Sequence, residues 1–194
     1  MPFSVSTFKT NVLKTDLQRP SLFKIQINGS DTSQTFTVNE DILVKAAAVP
    51  AANIAALPYN YAGRAYKLTG FRTYDTWTTT IINDEGFSAR KKIMNWMYRI
   101  SGGADGERTE SAGAPGGLGD GKVTLIGTDG LDKQTWKMHF MWPTELGEIA
   151  LDWSSDAIQE YTCTWAYDYW THGSNTEEVK SVVDEDPVFV SPSG

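Results

Sequence analysis

A mainly β fold with one packed α-helix, built as an antiparallel barrel or sandwich, is what this sequence predicts. Three observations carry it. Several β-branched and aromatic runs alternate apolar with polar residues, the pattern of strands with one buried and one wet face. One segment has a helical apolar period with its own start and stop signals. Aromatic residues make up 12% of the 194-residue chain, including seven Trp, which requires a packed core, a large interface, or both. The length allows one domain with a real hydrophobic core and is marginal for two.

The elements follow in order. Phe23, Ile25 and Ile27 alternate with Lys24, Gln26 and Asn28, a half-buried strand. Residues 44–61 hold Pro50, Pro58 and many alanines, a poor strand composition that suits an extended loop. Thr73–Ile82 is β-branched and aromatic without Gly or Pro, a strand. The helix comes next. Asn83, Asp84 and Glu85 supply a cap and early acids, and Phe87, Met94, Met97 and Tyr98 recur at helical spacing. Arg90, Lys91, Lys92 and Arg99 follow, and Gly102 and Gly103 end it. Gln134–Trp142 sets Trp136, Met138, Phe140 and Trp142 against Thr135, Lys137, His139 and Met141. The clearest strand is Ile158–Trp170, with Tyr161, Cys163, Trp165, Tyr167 and Tyr169 on one face and Glu160, Thr162, Thr164 and Asp168 on the other.

These elements make one domain over residues 1–170. Residues 1–20 read as a polar N-terminal arm, and 101–133 as a loop that carries ten of the 17 glycines. Residues 171–194 form an acidic extension, whose five acids and one Lys make −4 of the chain's −7.

Several function classes are excluded. With 17 basic against 24 acidic residues, a basic surface that grips phosphates is ruled out. The single cysteine, Cys163, makes neither an internal disulfide nor a cysteine-based zinc site, and two histidines are too few for a His-rich metal centre. No run of about 18 apolar residues provides a membrane anchor, and the N-terminus has no apolar signal core. Gly116–Lys122 has the letters of a phosphate-binding loop, but Val123 stands where Ser or Thr would hold magnesium, and a strand follows where a helix is needed. Asp152, Asp156 and Glu160 read as turn and cap residues, His139 as a solvated or hydrogen-bonded histidine, and Cys163 as a buried inert thiol. Asn28-Gly29-Ser30 matches a glycosylation sequon but suits a hairpin turn. No catalytic residue, metal-ligand set or cofactor site emerges, and an enzyme is not expected.

Four stretches resemble tail tube proteins of contractile-tailed bacteriophages. The run GFRTYDTWTTTIINDE at 70–85 matches the family's G-x-R-T-[FY]-x-x-W-T-x-T-[IV]-x-N-D-E segment through Gly70, Arg72, Trp77, Asn83 and Asp84. WPTELGEIALDW at 142–153 matches its W-P-T-x-x-G-E-[IL]-x-L-D-W segment through Trp142, Pro143, Gly147, Asp152 and Trp153. RPSLF at 19–23 resembles the entry to its first strand and DYW at 168–170 its closing strand, all in the family's order. The resemblance implies a β-barrel or sandwich shared with type VI secretion tube proteins, with Arg64 and Arg72 anchoring bends and Trp77, Trp142 and Trp153 as core or seam aromatics. It implies hexameric rings stacked into a tube inside a tail sheath, with baseplate and tail terminator proteins at its ends. Genomic DNA passes through transiently without tight binding. The product is a virion component, assembled in the host cytoplasm.

On this resemblance the channel face is assigned to Glu160, Thr162, Thr164 and Asp168, and ring stacking to the arm and to Pro50, Asn53, Ile54, Pro58 and Tyr59. The glycine-rich loop is placed on the tube exterior. A tube subunit of a contractile injection or secretion system, or a baseplate tube initiator, shares the pattern. A monomeric ligand-binding β-barrel is the reading from another class.

Overall fold

The computed structural model describes residues 5, 9–10, 17–29, 31, 33–102 and 117–173. The N-terminal arm falls mostly outside these residues. So do positions 103–116 of the glycine-rich stretch and 174–194 of the acidic extension.

Nine strands and two helices lie among the described residues. They are β1 (Phe23–Asn28), α1 (Val38–Ile42), β2 (Val44–Ala47), β3 (Asn53–Tyr61), β4 (Arg64–Thr73), β5 (Trp77–Ile82), α2 (Ser88–Ser101), β6 (Gly119–Ile126), β7 (Asp132–Leu146), β8 (Glu160–Ala166) and β9 (Tyr169–Gly173). The main sheet runs β1-β6-β7-β8-β5-β2, entirely antiparallel. Strand β7 is 15 residues long and serves two sheets at once. Its first half pairs with β6 and β9, its second with β8. That long bent strand folds the sheet around a shared interior, and the open edges at β1 and β2 are bridged by α1, which packs on both.

The interior is filled by side chains from every side. Ile25 and Ile27 come from β1, Ile81 from β5, Met138 and Met141 from β7, Cys163 and Trp165 from β8, and Ile93 and Trp96 from α2. Trp96 and Trp165 meet with ring centroids 5.7 Å apart. Buried indoles need partners for their N–H groups. Trp96 donates to Gly117 O (2.8 Å), Trp165 to Thr79 Oγ1 (3.0 Å) and Trp77 to Ala48 O (2.7 Å). Helix α1 is held by charge. Glu40, only 5% exposed, accepts from the Thr37 N–H at 2.6 Å and from Lys92 Nζ at 2.6 Å, which ties α1 to α2.

The structure corrects several expectations, each for a local reason. Strand β7 changes phase. Met141 is buried while Phe140 is nearly half exposed, because Phe140 adopts φ 55° and two residues of β7, His139 and Phe140, lie opposite Asp120 alone. Helix α2 buries Ala89, Ile93 and Trp96; Met97 is half-buried, and Phe87, Met94 and Tyr98 face outward. It starts at Ser88, whose N–H donates to Asp84 Oδ1 at 2.9 Å, and ends at Gly102, whose φ of 81° breaks the period. The 158–170 run breaks at Tyr167–Asp168 into β8 and β9, so Tyr169 leaves the buried face and stacks on His139 at 4.7 Å. Part of the glycine-rich stretch is strand β6, paired on both sides, which removes the phosphate-loop reading of Gly116–Lys122. Gly29 leads into a turn and α1 rather than a hairpin. Residues 171–173 belong to β9, not to the extension. Lastly, 44–61 is not an extended loop but β2 followed by β3 of a long hairpin.

Candidate functional site

Two surfaces stand apart from the core. The first is the outer face of the β5–β8 sheet. Strand β8 buries Tyr161, Cys163 and Trp165 and turns Glu160, Thr162 and Thr164 outward. Register then builds the face: Thr78 lies opposite Thr164, Thr80 opposite Thr162, and Ile82 opposite Glu160. Thr144 of β7 donates to Thr164 O at 3.0 Å. Glu160 is neutralised by Lys45 Nζ at 2.6 Å. The face is therefore a threonine field of nearly zero charge. Asp168 does not belong to it, since it sits in the link between β8 and β9, where its N–H donates to His139 O.

The second surface is the hairpin β3–β4. Its turn has φ 48° at Ala62 and 76° at Gly63, the two positive values of a type I′ turn. Almost every residue of the two strands is exposed. Register sorts them into unlike faces. Leu57 pairs with Leu68, Tyr59 with Tyr66, and Tyr61 with Arg64 on one face, while Ala56/Thr69, Pro58/Lys67 and Asn60/Ala65 share the other. Leu57, Tyr59, Tyr61, Tyr66 and Leu68 are each 50–66% exposed, an apolar ladder left open to solvent. Of the stacking residues read from sequence, Tyr59 is on this ladder, and Ile54 and Pro58 are on the opposite face. Asn53 anchors the root through Asp75 (2.7 Å). Pro50 is buried. The sequence reading missed Leu57, Tyr61, Tyr66 and Leu68. Their alternation on either side of Ala62-Gly63 was the available signal.

A model of the phage tail tube protein family matches residues 7–173. Tail tube protein gp19 of Enterobacteria phage T4 is 34% identical over 163 residues, covering 80% of this chain and 91% of gp19, and the phage T6 protein matches to the same extent.

This chain belongs to the phage tail tube protein family.

It is an inner tail tube subunit of a contractile phage tail. The fold is also that of contractile injection tubes. A chain of the extended sheath-tube complex of the PVC extracellular contractile injection system superposes with TM-score 0.61 at 14% identity, covering 89% of this chain and 99% of that one. A chain of the anti-feeding prophage baseplate gives 0.63 at 11%, covering 81% and 95%.

Most motif residues of this tail tube protein have structural work. Gly70 lies at a bulge, where a Cβ would come within 2.8 Å of Ala55 O. Trp77 is core, Trp142 is half-buried, and Pro143 is buried beside the β7 bulge that Thr144 makes. The Asn83 N–H donates to Gln159 O at 2.9 Å, its Nδ2 to Gln159 Oε1 at 3.0 Å, and Asp84 caps α2. Gly147 has no room for a side chain, with Thr162 Oγ1 2.6 Å from a would-be Cβ, and its carbonyl accepts from Arg90 Nη1 at 2.9 Å. Asp152 accepts from the Ser154 N–H and hydroxyl in a turn, and these bonds hold its carboxyl below the usual range. Trp153 is fully exposed in the protomer, which leaves the seam half of the core-or-seam reading. One expectation changes: the Arg64 and Arg72 side chains form no hydrogen bond or ion pair among the described residues, so neither anchors a bend there.

Among the described residues, the pKa shifts of Cys163, Tyr161 and His139 follow from burial and neighbouring charges. Burial pushes the Cys163 thiol up, and burial first, then Cys163 nearby, does the same to Tyr161. Burial and Lys137 hold His139 below its usual value, so it is neutral at pH 7. Its Nε2 lies 2.9 Å from Thr171 Oγ1. No group of three or more His, Cys, Asp or Glu among the described residues is disposed to hold a metal.

Proposed function

We propose that six copies of this chain form a ring, that rings stack into the tube, and that the protein acts by structure without catalysis. In this reading the threonine face of β5 and β8 lines the channel. It carries Thr78, Thr80, Thr162 and Thr164, with Glu160 neutralised by Lys45. Such a wall holds few cations to bind phosphates and little net charge to repel them, so DNA slides through it without being gripped. The hairpin β3–β4 reaches the neighbouring ring. Sheath on the outside, baseplate and terminator at the ends, and assembly in the host cytoplasm complete this reading. The ligand-binding barrel loses support because Trp96, Trp165, Met138 and Met141 fill the interior. Identity of 34% to phage proteins, against 17% or less to the injection-system chains, favours the phage assignment.

The observation that carries the stacking role is the exposed ladder of Leu57, Tyr59, Tyr61, Tyr66 and Leu68, which no described residue covers. Replacing residues 54–72 by a short Gly-Ser turn tests it. Negative-stain images should show rings without tubes, and tubes of normal length would overturn the role.

A further inference from the structure

The hairpin and a second exposed segment lie at opposite ends of the same strands. The hairpin root is held where β5 begins and β8 ends: Ala48 accepts from Trp77, and Ala51 accepts from Tyr167 and Trp170. At the other end of those strands, Asn83 grips Gln159 and holds the segment joining β7 to β8. Six residues of β5 separate the two ends by about 20 Å.

That joining segment, residues 147–159, is the most apolar exposed part of the described chain outside the hairpin. Leu151 is 81% exposed, Ile158 71%, and Trp153 fully. With Ile149, these side chains shape an open cup of ≈ 520 Å³ lined by residues 149–160 alone. Asp152 and Glu160 stand on its wall, and the exposed Asp156 belongs to the same segment. Glu160 already pairs with Lys45, whereas Asp156 makes no ion pair among the described residues. The hairpin tip has the matching chemistry. Tyr61 and Arg64 pair across the turn, both exposed, and the Arg64 guanidinium makes no hydrogen bond or ion pair among the described residues.

We propose that the hairpin tip of one copy seats in the 149–160 cup of another, with Tyr61 and Arg64 against Trp153 in the cup and the Asp156 carboxylate beside it. This rests on the stacking reading above and names the receiving surface. Three arguments select a second copy as occupant. The charges complement, cation on the tip and carboxylates on the cup. A guanidinium has two suitable partners there, an indole face and a carboxylate. The two patches also sit at opposite poles of one protomer. A contact between unlike patches related by translation along the strands does not close on itself and propagates as a stack. A hairpin of nine-residue strands is about 30 Å long, enough to reach well beyond its root.

Elongation of sheared tubes by the full chain, followed by light scattering and negative stain, tests this. Arg64→Glu, Asp156→Arg and Trp153→Ala should each raise the protein concentration needed for elongation about tenfold or more, with the monomer melting temperature unchanged. The pair Arg64→Glu with Asp156→Arg should recover most of the loss, which a purely structural role for either residue would not allow. Elongation of Trp153→Ala and Asp156→Arg at the wild-type concentration, or a double variant no better than its worse parent, would overturn the proposal. If the 54–72 replacement stops tube growth while the cup variants grow normally, only the cup assignment fails. If that replacement still forms tubes, the stacking reading itself fails.

Discussion

The barrel and the hairpin are built from the same kinds of side chain and use them in opposite ways. Trp77, Trp96 and Trp165 are at most 2% exposed, and each indole N–H has a partner inside the protomer. Tyr59, Tyr61 and Tyr66 form a ladder of comparable apolar content, yet each is at least half exposed. The barrel's aromatics are spent on folding and the hairpin's are withheld from it. The difference teaches that aromatic content in this chain has two separate destinations. A substitution should therefore move stability or assembly according to region, not according to residue type.

The strongest way to break this comparison is in the barrel. Trp165→Ala removes an indole that packs on Trp96 and leaves Thr79 without its donor. The expected loss is about 3–5 kcal/mol, enough to unfold much of the population at 37 °C. Urea denaturation of the monomer measures it, and a loss below about 1 kcal/mol would place the core elsewhere. Next comes the tie between the helices. Lys92→Met leaves Glu40 buried at 5% exposure without its cation, and removes the bond to Thr35 O. About 2 kcal/mol is expected. Glu40→Gln combined with Lys92→Met should recover part of it, because no buried charge is then left alone.

Legibility from sequence divides along the same line. The strands β1, β5 and β8 were readable because a barrel wall with one wet face imposes strict alternation, and the outward set Glu160, Thr162 and Thr164 came out in the right phase. Alternation fails where a residue is inserted. Phe140 shifts the phase of β7, and the break at Tyr167–Asp168 sends Tyr169 and Asp168 away from the faces assigned to them. The helix was located correctly but its buried face was not. Its outward stripe, Phe87, Met94 and Tyr98, is as apolar as its inward one. Hydrophobicity alone cannot tell a side buried by folding from one left exposed. The hairpin was obscured by Pro50, Pro58 and the alanines. Proline is tolerated in a strand that has one unpaired edge, which is the position of Pro58 in this two-stranded sheet. The surfaces proposed for assembly were hardest to read because no partner among the described residues constrains them.

A smaller effect sharpens the barrel side. Asp41 lies at the seam of α1 with β1, its Oδ1 accepting from the Ile27 N–H at 3.3 Å. Burial, opposed by that bond, and aided by the neighbouring Glu40 charge against the pull of Lys92, raises its carboxyl from 3.8 to about 6. The folded state thus holds this proton more tightly than the unfolded state does. The stability linked to it is fully present below about pH 4 and is lost as pH rises through about 6. Asp41→Asn keeps the acceptor for Ile27 and removes the ionisation. It should stabilise the monomer at pH 7 by less than about 1 kcal/mol, since the group is partly solvated, and the gain should fade by pH 4. Melting temperatures of both proteins at the two pH values check this. A gain that is larger at pH 4 would reverse the sign and refute the assignment.

The smallest expected effect on folding is the most informative. Tyr59→Ser with Tyr66→Ser deletes two large aromatics, a change that in the barrel would be ruinous. Here the two tyrosines lie opposite each other in register on one open face, and the strands beneath them pair only with each other. Loss of the cross-strand contact should cost the monomer no more than about 1 kcal/mol, and the barrel melting transition should not move. Tube growth should fail all the same. If the double variant lowers the barrel melting temperature as a core substitution does, the ladder is folded against the barrel and the division drawn between the two regions is wrong. If stability and tube growth both stay intact, the ladder serves neither folding nor assembly, and the contact between rings must be sought on the outward stripe of α2, where Phe87, Met94 and Tyr98 also stand uncovered.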